Sequence, residues 1–262
     1  PRWGRIAEGP GEDPLVACRM AAAKVRGFQG ASLADPRSVA ATPKHFVAYG
    51  APAAGRDYAS VDISERTLRE IYLPPFTAAV RAGAAAIMPA FNDIAGIPMT
   101  AHVPLLRDWL RGDLGFEGVL ISDYNAIAEL LKHGVAADLA EAAALALTAG
   151  VDIDMMSPAY EQGLPEALDR GLVSLADIDG AVRRVLTLKQ HLGLFDAPTR
   201  RQQARGTGVQ SARRERAREA ARRSIVLLKN DGGVLPISPD TTRIAVVGPL
   251  ADAPGDMLGP WW

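Results

Sequence analysis

A single cysteine, Cys18, in a chain of 262 residues excludes an intramolecular disulfide framework and a zinc site built from several thiolates. It leaves the compartment open, because proteins of oxidising compartments also do without disulfides. Long apolar runs are missing as well, and none approaches the ~20 residues that span a bilayer. Charge of one sign is not in excess. Lys and Arg number 29 and Asp and Glu 30, for a formal net charge of −1, which argues against a general binder of polyanions. The four histidines, His45, His102, His133 and His191, are scattered with no pair at metal-ligand spacing. No G-x-G-x-x-G follows a strand, so the sequence points to neither a metal nor a redox cofactor. No signal peptide is visible. The chain opens on Pro1-Arg-Trp-Gly-Arg5 without an initiator Met and closes on Pro260-Trp-Trp262, so both ends read as cut and an internal fragment is expected.

The residues that are present, 48% hydrophobic and 23% charged, have the balance of an ordinary α/β protein. From about residue 39 to 195 strand and helix signals alternate. Strand signals lie at Val39–Phe46, Ala84–Met88, the run entering Ser122-Asp123, and Val151–Met155. Helical patterns cover about 64–82, with Asp62 or Ser64 as cap and Pro74-Pro75 bending it, then about 102–112, 125–132 and 138–149. Ser174-Leu-Ala-Asp177 is a capping box opening a long helix that ends near Gly193. Such alternation means βαβ units and a parallel sheet.

Only half the strands of a closed barrel precede residue 160. The expected fold class is therefore α/β: over residues 1–197, the second half of a TIM-type (β/α)8 barrel whose remaining strands lie upstream of Pro1. Residues 196–212 lose apolar content and read as a linker. An Arg-rich helix follows at about 212–223, so 198–223 is assigned as linker and helix. Strand signals at Ile225–Leu228 and Ile244–Val247 make 224–262 the expected start of an α/β/α sandwich domain.

Asp123 is the residue with the clearest chemical promise. An acid directly after a buried parallel strand faces the mouth of a barrel, where a carboxylate can act as nucleophile. An Asp in that place can equally cap the following helix. Lys44-His45, at the end of another strand in an apolar segment, supply several hydrogen-bond donors for a polyhydroxylated ligand. Their alternative is a Lys reaching solvent and a His satisfied by backbone. Arg5 is either a ligand donor or a surface residue beside a core Trp.

The order of the motifs carries a resemblance. Pro1-Arg-Trp-Gly-Arg5, Glu8-Gly-Pro-Gly-Glu-Asp-Pro14, Lys44-His-Phe46, Tyr49-Gly50, Gly55-Arg-Asp-Tyr58, Ile63-Ser-Glu-Arg-Thr-Leu-Arg-Glu70 and Leu73-Pro-Pro-Phe76 follow one another. Phe91-Asn92, Ile121-Ser-Asp123, His133-Gly-Val-Ala-Ala137, Ala149-Gly-Val-Asp152, Leu192-Gly-Leu-Phe195, Ser224-Ile-Val-Leu-Leu-Lys-Asn230 and Ala245-Val-Val-Gly-Pro-Leu-Ala-Asp252 continue the series. In order and spacing they resemble glycoside hydrolase family 3, the β-glucosidases and their exo-acting relatives, over nearly the whole chain.

That resemblance implies a retaining exo-β-glycosidase with Asp123 as nucleophile, needing neither cofactor nor metal. Its substrate would be a small β-glucoside or oligosaccharide. Lys44, His45 and Arg5 would hold sugar hydroxyls, and Phe91 would wall the sugar. Tyr124, where a Trp is often found, would stack on a pyranose face. Pro10 departs from a usual Phe. The resemblance further implies a sugar-binding Asp upstream of Pro1 and an acid/base Glu beyond Trp262, so the chain alone is expected to turn over little or not at all. The N-acetylglucosaminidase branch, with a His in the loop after Lys-His-Phe, is disfavoured because Val47–Asp57 contains none. Relatives are frequently periplasmic or secreted.

Other readings compete with this one. Arg200-Arg201, Arg213-Arg-Glu-Arg-Ala-Arg218 and Arg222-Arg223 invite a nucleic-acid partner. Glu215 and Glu219 interleave at helical spacing and no stacking aromatic lies among them, which favours a solvated linking helix and no nucleic acid. A sugar-binding relative without catalysis, or a xylosidase, remains open. A phosphate-sugar aldolase lacks its Schiff-base Lys context and phosphate-gripping loop.

Overall fold

The computed structural model describes residues 3–202 and 208–258. Residues 203–207 of the expected linker, Pro1 and Arg2 of the first motif, and Pro260-Trp-Trp262 lie outside the described residues. The chain divides into two units, Pro1–Gln203 and Ala204–Trp262.

In the first unit four segments run parallel, side by side, in chain order. Ala86–Ile87 (β1) pairs with Val119–Leu120 (β4) in the register Ala86 to Val119 and Ile87 to Leu120. Phe46 bridges to Pro89 on one flank and Ile121 to Ile153 on the other, both parallel. All four strand signals therefore fall on this layer, but the regular strands are much shorter than expected. Pro43 has no N–H to give a ladder. The segment 41–46 instead accepts from Ala86 N and Met88 N through the carbonyls of Ala41 and Pro43, at 3.1 Å each. Phe46 N donates to Met88 O at 2.7 Å. At the other flank the Asp152 carboxylate takes the Leu120 N–H at 2.8 Å, displacing a backbone partner. Among the described residues the sheet does not close into a barrel. A separate hairpin, Asp93–Ile94 (β2) with Ile97–Pro98 (β3), turns on Ala95 and Gly96, both at positive φ as a two-residue loop of this kind requires.

Helices begin where side chains satisfy their free N–H groups. Pro14–Gln29 (α1), which the sequence reading did not anticipate, starts at Asp13, whose Oδ1 accepts from Leu15 N at 2.7 Å, with Pro14 in the first turn. Its last residue, Gln29, is buried and ties three segments together. It donates to Gly83 O at 2.8 Å and accepts from Ala41 N and Ala85 N at 3.1 and 2.9 Å. The helix expected at 64–82 is present but divided into Glu65–Thr67 (α2), a wide π turn Leu68–Tyr72, and Leu73–Arg81 (α3). Ser64 rather than Asp62 caps it. Pro74 and Pro75 lack the N–H that would close ordinary turns, and the wide turn immediately precedes them.

Pro104–Asp113 is also wide, and Ala128–Leu130 is only a 3₁₀ turn where a longer helix was expected. Leu139–Ala149 (α4) is capped by Asp138 and ends at Gly150 with φ 101°. Leu164–Asp169 (α5) follows, and then Leu175–His191 (α6), which opens on the anticipated Ser174/Asp177 capping box. The main core gathers Phe46, Ile87, Leu106, Leu110, Leu120, Ile127 and Leu130. Burial of each such side chain contributes about 1.5–3 kcal/mol. A second cluster joins Ala140, Ala144 and Leu147 to Ala167, Val173 and Ala181.

One ionic node is set into this layer. Asp152 accepts from Arg111 Nη2 at 2.7 Å and Arg184 Nε at 2.8 Å, and its side chain is 0% exposed. Burial raises its pKa, and Arg111 foremost, with the Leu120 N–H and Arg184, opposes that rise.

The second unit contains Gly208–Ser224 (α7), the expected Arg-rich helix, with Arg223 Nε on Glu219 Oε1 at 2.7 Å. The strand signals at 225–228 and 244–247 form no strand among the described residues, and their apolar side chains are exposed. An isolated extended segment has no neighbour to take its backbone groups. No helix of the described residues is long and apolar enough to cross a membrane.

Candidate active site

The chain leaves β4 at Leu120 and delivers Asp123 three residues later. Ser122 fixes that exit. Its N–H donates to Ile153 O at 2.9 Å, and its hydroxyl donates to Asp123 O at 3.0 Å while accepting from Met155 N at 2.8 Å. Asn125, at φ 58°, donates its N–H to Met155 O at 2.8 Å. The residue is thus held from both sides, and only 9% of it is exposed.

Asp123 Oδ1 accepts from the very next backbone N–H, Tyr124 N, at 2.7 Å. A helix cap would reach two or three residues ahead, so the geometry is not that of a cap. Asp123 Oδ2 is buried and receives no hydrogen bond. Burial raises the carboxyl pKa, and the Tyr124 N–H, Lys44 and Arg5 oppose the rise.

His45 Nε2 lies 3.4 Å from Asp123 Oδ2. This is not an ion pair, because burial first, and then the charges of Lys44 and Arg5, lower the imidazole pKa to about 3. Arg5 Nη2 approaches the same Nε2 at 3.3 Å. Arg5 is also gripped by Glu8 through two bonds, Nε to Oε1 at 2.8 Å and Nη2 to Oε2 at 2.9 Å. That pairing raises the pKa of Arg5 and lowers that of Glu8. Lys44 is exposed beside them, and its charge acts on Asp123, His45 and Glu8.

An aromatic floor supports these groups. Tyr49 packs on His45 at 4.7 Å, on Trp3 at 5.6 Å and on Phe91 at 6.1 Å between ring centroids. Its hydroxyl donates to Asp57. The Arg5 guanidinium lies 5.7 Å from the Tyr49 ring centre. Phe91 is buried and carries Tyr58 on it at 4.4 Å. Tyr58 is half-exposed at φ 61°, and its phenol pKa is raised by burial and by Glu129, Asp57 and Asp123. Tyr124 projects outward, 60% exposed.

Arg5, Lys44, His45, Phe91 and Asp123 therefore meet at one end of the four parallel segments, with Tyr124 at the rim. Glu8, Tyr49, Asp57 and Tyr58 belong to the same constellation, although sequence reasoning gave them no role. The Arg5-x-x-Glu8 spacing was the available signal for one of them. Chemically, the arrangement is a shielded carboxylate with a free lone pair, flanked by cations and a neutral imidazole and floored by aromatic faces. Among the described residues no cluster of three or more His, Cys, Asp or Glu is arranged to hold a metal.

The chain is similar over its length to known proteins. The family model described as "Glycosyl hydrolase family 3 N terminal domain" matches residues 1–188. The periplasmic beta-glucosidase of Salmonella typhimurium is 44% identical over 267 residues, covering 100% of this chain and 35% of that protein. A beta-xylosidase of Formosa agariphila is 40% identical over 264 residues, covering 95% of this chain and 36% of its own length. Among solved structures, the beta-glucosidase of Listeria innocua in complex with glucose superposes with a TM-score of 0.86 at 43% identity, over 91% of this chain and 33% of that one. The chain spans about a third of the length of these relatives.

Proposed function

The chain belongs to glycosyl hydrolase family 3, and from that premise we propose that it supplies the nucleophile half of a retaining exo-acting β-glycosidase of β-glucosidase type. The observation that carries the reading is Asp123 Oδ2, buried, without a hydrogen-bond donor, at the end of a parallel strand. In retaining hydrolysis a carboxylate attacks the anomeric carbon as the bond to the leaving oxygen breaks, and a second carboxyl protonates that oxygen. Water then displaces the carboxylate from the covalent glycosyl-enzyme. Asp123 takes the first role. Arg5, Lys44 and His45 hold hydroxyls of a terminal non-reducing β-D-glucosyl residue, Phe91 walls it, and Tyr124 stacks at its open face.

The acid/base partner is a Glu contributed by a longer protein of which this chain is part. In that protein residues 1–197 form the later half of a (β/α)8 barrel, 198–223 a linker and helix, and 224–262 the opening of an α/β/α sandwich domain. General acid–base help is typically worth roughly 10²–10⁴-fold, so the chain alone turns over little. A beta-xylosidase reading has the Formosa agariphila relative in its favour.

Incubating the full-length protein with a 2-fluoro-glucoside, then mapping the modified peptide by mass spectrometry, tests the assignment. Label belongs within Ile121–Asn125, and label elsewhere removes Asp123 from the mechanism. Asp123→Ala leaves no more than about a few per cent of the activity if the carboxylate is the nucleophile. Aryl glucosides and xylosides compared on the same protein decide the sugar.

A further inference from the structure

Four side chains, Glu8, Arg5, His45 and Asp123, form a continuous polar chain. The contacts are 2.8 and 2.9 Å from Glu8 to Arg5, 3.3 Å from Arg5 to His45, and 3.4 Å from His45 to Asp123. The reading of Asp123 as nucleophile leaves Glu8 unused. Glu8 touches neither the carboxylate nor the aromatic floor, yet it holds both nitrogens on one edge of the guanidinium.

A guanidinium has donors and no acceptor. For Arg5 Nη2 to sit at hydrogen-bond distance from His45 Nε2, that nitrogen must present its lone pair. The ring is neutral, so its one proton resides on Nδ1. A lone pair on Nε2 cannot donate to Asp123 Oδ2, which is why that oxygen, 3.4 Å away, has no donor. The alternative tautomer would place an N–H on Nε2, aimed at the attacking oxygen. It would add a hydrogen bond to the attacking oxygen and lower its nucleophilicity.

We propose that Glu8 is a positioning residue which, by clamping Arg5 against His45 Nε2, fixes His45 as the Nδ1–H tautomer and keeps Asp123 Oδ2 free to attack. The clamp has the geometry for this task, because a bidentate carboxylate–guanidinium pair fixes orientation as well as distance. Arg5 is only partly covered, with 22% of its side chain exposed, and the ion pair with Glu8 holds its Nε and Nη2 in one orientation. The inference rests on the proposed role of Asp123 for its kinetic consequence, whereas its tautomer statement stands on the polar chain alone.

The test uses the full-length protein and its Glu8→Gln variant, with Glu8→Asp as a second variant should the first not fold. Nitrogen-15 NMR of labelled histidine reads the tautomer of His45 directly. The wild type shows a protonated Nδ1 and a bare Nε2, and Glu8→Gln shifts the population toward protonated Nε2. In parallel, a dinitrophenyl glucoside, whose leaving group needs no acid, reports the attack step. Its pre-steady-state rate falls roughly tenfold in Glu8→Gln, the scale of one hydrogen bond added to the attacking carboxylate. Binding of glucose weakens as well, because Arg5 also holds a sugar hydroxyl, and the tautomer is read independently of it. An unaltered tautomer in a folded Glu8 variant overturns the proposal, as does a changed tautomer with an unchanged attack rate. If the 2-fluoro-glucoside labels a residue other than Asp123, the functional reading fails, while the NMR result still decides whether Glu8 sets the tautomer.

Discussion

Asp123 and His45 face each other at 3.4 Å and carry shifts of opposite consequence. His45 moves from an ordinary 6.5 to about 3, mainly through burial. Between those values the unfolded chain binds a proton that the folded chain refuses. The associated stability is therefore complete above about pH 6.5 and is lost as pH falls toward 3, at up to about 1.4 kcal/mol per unit. Asp123, raised by burial, acts in the reverse direction: the folded chain holds its proton above pH 3.8, so stability declines as pH rises through the elevated value. Urea titrations at stepped pH separate the two. From pH 6.5 to 5 the wild-type midpoint falls, and the His45→Asn midpoint falls distinctly less. Parallel slopes for the two proteins would mean that His45 is not held neutral by its surroundings. The same elevation of Asp123 places the acid limb of kcat/KM above pH 3.8, and a limb at or below that value would contradict it.

At the scale of elements, two close contacts lie around the parallel segments. Gly163 closes the turn Ala159–Gly163 against the start of α4, and a Cβ there would lie 2.3 Å from Leu139 O. Its backbone has an unremarkable φ of −88°, so space alone decides the outcome. Gly163→Ala should cost about 1–3 kcal/mol through overpacking, read as a lowered urea midpoint. Asp152→Asn removes the charge between Arg111 and Arg184, and breaking a buried pair of this kind costs about 3–5 kcal/mol. A variant within 1 kcal/mol of wild type (roughly the error of such measurements) would show that the node is hydrated.

These two sites also mark where sequence legibility ends. The capping box at Ser174 and Asp177, the parallel order of the strand signals and the placing of Asp123 after β4 all depend on neighbours close in the chain, and each was readable. The shortness of the strands depends on Pro43, which was readable as a missing N–H, and on the Asp152 side chain reaching Leu120, which was not. The same holds for the site: Lys44, His45 and Asp123 announced themselves as polar residues at strand ends. The grip of Glu8 on Arg5, and of Arg5 on His45 across 40 residues, exists only once the fold has brought them together.

At the scale of the whole molecule, the two units differ in what they bury. The first, Pro1–Gln203, contains every buried hydrophobic residue of the described chain. In the second, Ile225, Val226, Leu227 and Leu228 are exposed, as are Ile244, Val246 and Val247, and α7, the longest helix among its described residues, is Arg-rich. A segment with no buried apolar side chain has little to offset the conformational entropy of ordering it, which amounts to about 1–2 kcal/mol per residue for the backbone alone. Two β-branched runs without neighbours also present unpaired backbone edges, which invite association. A peptide comprising residues 204–262 should therefore melt without a cooperative calorimetric transition, its circular dichroism showing only partial helix from α7. Its solubility should improve on replacing Val226 and Val247 with Lys. A sharp, reversible transition in the isolated segment would mean that residues 225–247 build a core of their own, and the unpaired strand signals would then have to be a property of this conformation rather than of the sequence.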